Sequence, residues 1–367
     1  MNRRLKPMLL VALRLAAMLS LSALAPLAAW AGQAVTVASA PAASRAQLLM
    51  AIDPAADPAH PRLLQVSLDE LHPTQPAIGY DQVYYKLGRY RADDAAMAAT
   101  PQPKKFGDWC EANGQQGVLA RSASVAGATL LHPPPSFRCE REVGAKPKDM
   151  KTVVIGPQGK LYLTDGHHTF SALHDADGGN NGKLMVWVKV TDNLSALSES
   201  AFWQRMQAMH KVWLKDGANR NIAPGALPQH LGLVSLGNDP YRALVYFSRE
   251  VGYEVPDNGA DNPEFLEFYW ADWLRNKPVL NLARYDLNQA ASYTAAIKTA
   301  SQAMTALKPD QVVSGGHDAQ ALGSRRTVDE AKLNKLSGKD GKLRYCVAYK
   351  QWLAGQAQAP PPRTGGG

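Results

Sequence analysis

The stretch that decides the fold is Leu161-Tyr162-Leu163-Thr164-Asp165-Gly166-His167-His168-Thr169-Phe170-Ser171-Ala172-Leu173. An apolar run gives way at Asp165-Gly166 to a pattern of helical period, so a strand over 160–164, a turn and a helix from His167 to about Asp175 are expected. Asp is a good N-cap, Gly lets backbone approach a ligand closely, and the free first-turn N–H groups of such a helix converge on one spot. That spot favours an anion, a phosphate above all. His167 and His168 fall in the first turn, where a neutral imidazole can ligate a metal or take a proton. The plainer alternative is that Asp165 only caps the helix and the histidines face solvent.

Working outward, Thr152-Val153-Val154-Ile155 is a β-branched strand, and Gly156-Pro157-Gln158-Gly159 turns it into the strand above. After the Gly178–Gly182 turn, 184–190 is again strand-like, and on the N-terminal side 63–68 forms a short strand and Tyr80 to about Tyr90 a helix. Residues 95–147, rich in Pro, Gly and Lys, are expected to be a loop-rich insertion. From Ser198 the period becomes helical, with Phe202, Met206, Met209 and Trp213 making one stripe. Further helices are expected at 240–252, 263–275 and 286–307, and His210 is expected to be structural among core aromatics.

The organisation expected is a signal peptide over 1–31, a flexible lead-in over 32–60, an α+β core over 61–195, a helical subdomain over 196–307 and an extension over 308–367, disordered from about 355. Arg3, Arg4 and Lys6 precede an apolar run from Met8 to about Leu27 that ends in Ala29-Trp30-Ala31, the order of an export signal, so the mature chain is expected in the periplasm or outside the cell. Its removal would lower the formal charge from +8 to +4. That leaves no dense basic stripe, and no later apolar run is long enough to hold the mature chain in a bilayer. Of Cys110, Cys139 and Cys346, the first two can close the loop between them in an oxidising compartment, although pairing cannot be read from sequence. None has a CxxC neighbour, which argues against a zinc ribbon or a dithiol redox site.

The 161–173 segment resembles the signature of the ParB/sulfiredoxin superfamily, in its ParB-like nuclease branch. Val66-Ser67-Leu68-Asp69-Glu70-Leu71-His72-Pro73-Thr74-Gln75, then Ile78-Gly79, Val83 and Lys86, resemble that family's opening strand and the elements after it. Asp239 to Leu244 and Glu267 to Arg275 are similar to its helical C-terminal half. The resemblance implies an α+β fold, a small mixed sheet with helices followed by a helical half, that holds a phosphate-bearing ligand or nucleic acid at the helix entrance. By similarity His167 stands where related branches carry a glutamate or a catalytic cysteine, and His168 and Thr169 stand at the following basic pair. The missing cysteine argues against sulfinic-acid reduction, and the missing second basic residue against a CTP clamp.

The candidate catalytic residues are therefore His167, His168 and Asp165. Gly166, Thr169, Lys86, Gln75 and Glu267 are the candidate ligand-binding residues, and Asp272 is a further acid that can face the site. A divalent ion, Mg2+ or Mn2+, is left open as cofactor, although no tight motif such as HExxH is present. Two functions follow: a phosphodiester or phosphoryl-transfer enzyme, or a non-catalytic phosphate- or nucleotide-binding module of the same fold.

Overall fold

In the computed structural model, residues 34–35, 42–55, 61–96, 102–119, 127–256, 265–277 and 280–358 are described. They all belong to one unit, Ala31–Gly367. The expected signal peptide lies outside the described residues.

Ten strands and ten helices are present among the described residues. In the first half they are β1 (Ala34–Val35), α1 (Ala42–Met50), β2 (Leu63–Ser67), β3 (Leu71–Pro73), β4 (Ala77–Ile78), α2 (Tyr80–Ala95), α3 (Lys104–Ala112), β5 (Thr152–Ile155), β6 (Leu161–Leu163), α4 (His167–Asp175) and β7 (Met185–Asn193). The second half adds α5 (Glu199–Ala208), β8 (Gly237–Asn238), α6 (Pro240–Ser248), α7 (Leu266–Arg275), α8 (Ala290–Thr305), β9 (Val312–Ser314), β10 (His317–Asp318), α9 (Glu330–Ser337) and α10 (Lys342–Gln358). The fold is α+β, as its sequence predicts. No helix among the described residues is long and apolar enough to cross a membrane.

Six strands make a mixed sheet in the order β1-β2-β7-β5-β6-β3. Its centre is where the β-branched residues are. β7 pairs antiparallel with β2, Val186 opposite Val66, and parallel with β5. β6 runs antiparallel to β5, with Leu163 opposite Val153. Side chains alternate along a strand, so Val153, Ile155, Leu161 and Leu163 enter the main core while Val154 and Tyr162 point to the other face, against Phe202 and Met206 of α5. Burial on both faces is why β5 reads as an unbroken apolar run. α4 closes the main core with Phe170, Ala172 and Leu173 and packs against α2. A second core, around Trp270, Tyr253, Tyr293 and Phe247, joins α6, α7, α8 and α10.

Four expectations change in the structure. The lead-in contains the helix Ala42–Met50, and the insertion contains Lys104–Ala112, held by a Cys110–Cys139 disulfide that leaves Cys346 as a buried thiol. α10 runs on to Gln358, past the point where disorder is expected; 359–367 lie outside the described residues. The α5 stripe stops early: His210 takes φ 52° and is exposed rather than packed among aromatics, and Trp213 leaves the helix to pack, tilted, against Phe268 with ring centroids 4.8 Å apart. Trp213 is thus a core residue at helical spacing without being in the helix.

Candidate functional site

β6 delivers the chain to Thr164-Asp165-Gly166, and α4 begins at His167. Gly166, at φ 101°, is the N-cap in the left-handed region, and no side chain caps the helix. A Cβ here would also stand 2.5 Å from Cγ of Lys151, so the position requires glycine on two counts. Asp165 is therefore not the cap that its residue type suggests. Its carboxylate is mostly exposed and faces Lys151 Nζ at 3.6 Å. The first amides of α4 have no acceptor within the helix and are left open beside a cavity.

The two histidines are buried rather than solvent-facing, His167 only 4% exposed. The Thr74 N–H donates to Nε2 of His167 at 3.1 Å, and the Gly79 N–H donates to Nε2 of His168 at 3.0 Å. Each ring thus satisfies a buried amide of the 74–79 segment, which fixes the tautomer with hydrogen on Nδ1. Both rings are held neutral. Burial, assisted by the nearby Arg242 and only partly opposed by Asp165, lowers the pKa of His167 to about 4. Burial and then Arg242 drive that of His168 well below the ordinary value. Neither Nε2 is free to take a proton from a substrate while these bonds stand.

The 74–79 segment also fixes the helical half. Ile78 C=O accepts from Asp239 N–H at 2.8 Å, and β4 pairs with β8 just before α6. Gly79 lies so close to Ala243 that a Cβ would stand 2.7 Å from its N. Asp239 caps α6 through the amides of Tyr241 and Arg242. This close approach brings Arg242, and Arg249 at the end of α6, to the mouth of α4. Glu267, in the first turn of α7, pairs with both: Oε2 with Arg242 Nη2 and Oε1 with Arg249 Nη2, while Tyr253 OH donates to Oε1 at 3.3 Å. Burial would raise the Glu267 carboxyl, but the two guanidiniums hold it below its ordinary value.

The resulting cavity, about 370 Å3, is lined by seven of the eight residues expected from sequence: Gln75, Asp165, Gly166, His167, His168, Thr169 and Glu267. Gln75 is turned partly away, its amide donating to Ala77 C=O at 3.0 Å. Lys86 is not brought in; it is paired with Asp108 at 2.8 Å in an adjoining cavity. Asp272 is held by Lys215, Asn219 and Ser314 and is absent from the lining.

Sequence reasoning missed Arg242, Arg249, Gln82 and Lys151, which line the same cavity. Arg242 is 6% exposed, yet its Nε and Nη1 have no hydrogen-bond partner; nor do Nε of Arg249 and Oε1 of Gln82. A buried guanidinium with two idle donors is costly unless something accepts from it. The signal that could have found it is a charge inside the otherwise apolar run Tyr241–Phe247.

The donor set does not suit a divalent ion. Among the described residues no three His, Cys, Asp or Glu side chains gather to hold a metal. The imidazole Nε2 atoms are spent on amides and Glu267 is spent on arginines. Beside the Asp165 carboxylate, which Lys151 faces, and Gln82 Oε1, the cavity offers mainly hydrogen-bond donation: open helix amides and idle guanidinium N–H groups, a combination that suits an anion.

The model of the family described as "Putative ParB-like nuclease" matches residues 64–276. Among curated proteins, none matches the chain. Among solved structures the chain is similar to protein Atu1540 from Agrobacterium tumefaciens, with 22% identity and a TM-score of 0.42 over 67% of this chain and 93% of that one.

Proposed function

The chain belongs to the family described as "Putative ParB-like nuclease", and from that membership we propose that it is an exported protein whose α4 cavity captures a phosphate group of a nucleic acid or nucleotide. Membership itself supports a nuclease-like or nucleic-acid-related role. The observation that carries the finer reading is Arg242, buried with two donors unspent beside an uncapped helix N-terminus. A phosphate oxygen would accept from those donors and from the first amides of α4, and Arg249 and Lys151 would add charge. Glu267 is the positioning residue that aims the guanidiniums. His167 and His168 are positioning residues too, since they tie the α4 entrance to the segment that carries α6.

Export is supported by the basic and then apolar N-terminus and by the Cys110–Cys139 bridge, a feature of oxidising compartments. Fractionating bacteria that express the full chain and sequencing its N-terminus tests it: periplasmic protein that begins at Gly32 supports export with cleavage, and cytoplasmic protein that begins at Met1 refutes it.

A second reading, phosphodiester hydrolysis at the same place, is favoured by the family membership. The arginines would then stabilise charge on the phosphoryl oxygens in the transition state, with deprotonation of water falling to a group other than the engaged Nε2 atoms. Calorimetry with inorganic phosphate and with a single-stranded oligonucleotide, in buffer containing EDTA, tests the primary reading. Binding by the wild type and its loss in Arg242→Ala is expected. Equal binding by both proteins would refute it. Cleavage of the oligonucleotide in the same tubes would decide for the second reading.

A further inference from the structure

Beside the α4 cavity lies another of about 360 Å3, which shares Gln82, Lys151, Thr169 and Arg249 with it. Its walls come from α2, α3, α4, α6 and α10 and the residues beside them, and they carry five basic side chains, Lys86, Lys104, Lys151, Arg249 and Lys342, against two acidic ones, Asp108 and Glu111. Asp108 is fully engaged, by Lys86, Lys104 and the hydroxyl of Tyr90. Burial would raise its carboxyl, but the two lysines bring it down to about 2. Glu267 already serves Arg249. Lys342 has no carboxylate partner among the described residues; its ammonium lies over the ring of Tyr246 at 4.9 Å. It comes from the first turn of α10, outside the matched 64–276.

The geometry points to a second anion subsite in this cavity, continuous with the first and completed by Lys342, so that the ligand carries at least two linked phosphates. The inference rests on the phosphate reading of the α4 cavity and deepens it. A single phosphate would satisfy Arg242 and leave the excess charge around Lys342 unmet. Pyrophosphate-bearing nucleotides and nucleic-acid strands share the needed chemistry, and a strand can thread both cavities because they adjoin. Burial and then Arg249 lower the pKa of Lys342 against the opposing pull of Glu250, whose carboxylate pairs with Lys332, a cost that a second phosphate would relieve.

The test is calorimetry on the folded wild type, Arg242→Ala, Lys342→Gln and, as control, the exposed Lys339→Gln, with melting temperatures recorded for each. The probes are inorganic phosphate, pyrophosphate, a nucleoside triphosphate and a short single-stranded oligothymidylate. The wild type is expected to bind the linked phosphates more tightly than inorganic phosphate. Lys342→Gln should remove about tenfold of that gain and leave inorganic phosphate binding unchanged. If the strand is the ligand, the salt dependence of oligonucleotide affinity also falls by about one counterion. Lys339→Gln should match the wild type throughout. Inorganic phosphate binding that depends on Arg242, with no gain from linked phosphates or no effect of Lys342→Gln, overturns the second subsite and spares the first. Failure to bind any of the four probes overturns both.

Discussion

Replacing His167 by glutamine separates a positioning role from proton transfer. Gln Oε1 can accept the Thr74 N–H that Nε2 accepts at 3.1 Å, but it does not titrate. The folded imidazole titrates at about 4 against 6.5 when unperturbed. Between those values the unfolded chain binds a proton that the folded chain refuses, so stability falls as pH falls. The stabilisation is fully present above pH 6.5 and is lost progressively towards pH 4. At pH 4.5 this one ring should cost the wild type about 2.5 kcal/mol relative to pH 7, taking about 1.4 kcal/mol per pKa unit. The shift at His168 has the same sign and steepens the wild-type profile further. Urea denaturation of both proteins at pH 7 and pH 4.5 measures it. The glutamine variant should lose less stability on acidification, by about that 2.5 kcal/mol, and should still bind phosphate at pH 7. Parallel losses in the two proteins would refute a neutral, buried, amide-accepting His167.

Three further outcomes follow from the same geometry. Gly166→Ala, forced into φ 101° against Lys151, should cost roughly 1–2 kcal/mol of stability and weaken phosphate binding, read by urea denaturation and calorimetry. Glu267→Gln leaves Arg242 and Arg249 without their carboxylate; a loss of about 3–5 kcal/mol is expected, and melting curves should show added phosphate recovering part of it by linkage. Cys110→Ser with Cys139→Ser opens a bridge of sequence separation 29 and should cost about 3–4 kcal/mol on a loop-entropy basis, measured by denaturation without reductant.

The sheet and its helix are legible in the sequence because their causes are local. β-branched runs bounded by Gly-Pro turns give β5 and β6, and a Gly before a helical period gives the start of α4. The seven residues that line the cavity lie in or beside motifs whose order along the chain carries the family resemblance. Arg242 and Arg249 escape because their meaning comes from an approach that no local pattern encodes: Gly79 against Ala243 and β4 beside β8 bring α6 to α4. Lys86 misleads for the converse reason, since its partner Asp108 comes from a helix inside a segment that reads as loop. Asp165 has the right residue type for a cap, but the left-handed turn places Gly166 at that position instead. The histidines look catalytic because the sequence cannot show that Thr74 and Gly79 already occupy their Nε2 atoms.

On the proposed reading the α4 cavity holds phosphate through Arg242 and the helix amides without a metal. Crystals of the protein soaked in phosphate with EDTA supply the test. Tetrahedral density is expected within hydrogen-bond distance of Arg242 Nε or Nη1 and of the first amides of α4. An empty cavity at saturating phosphate, or density that appears there only when Mg2+ or Mn2+ is added, would contradict it.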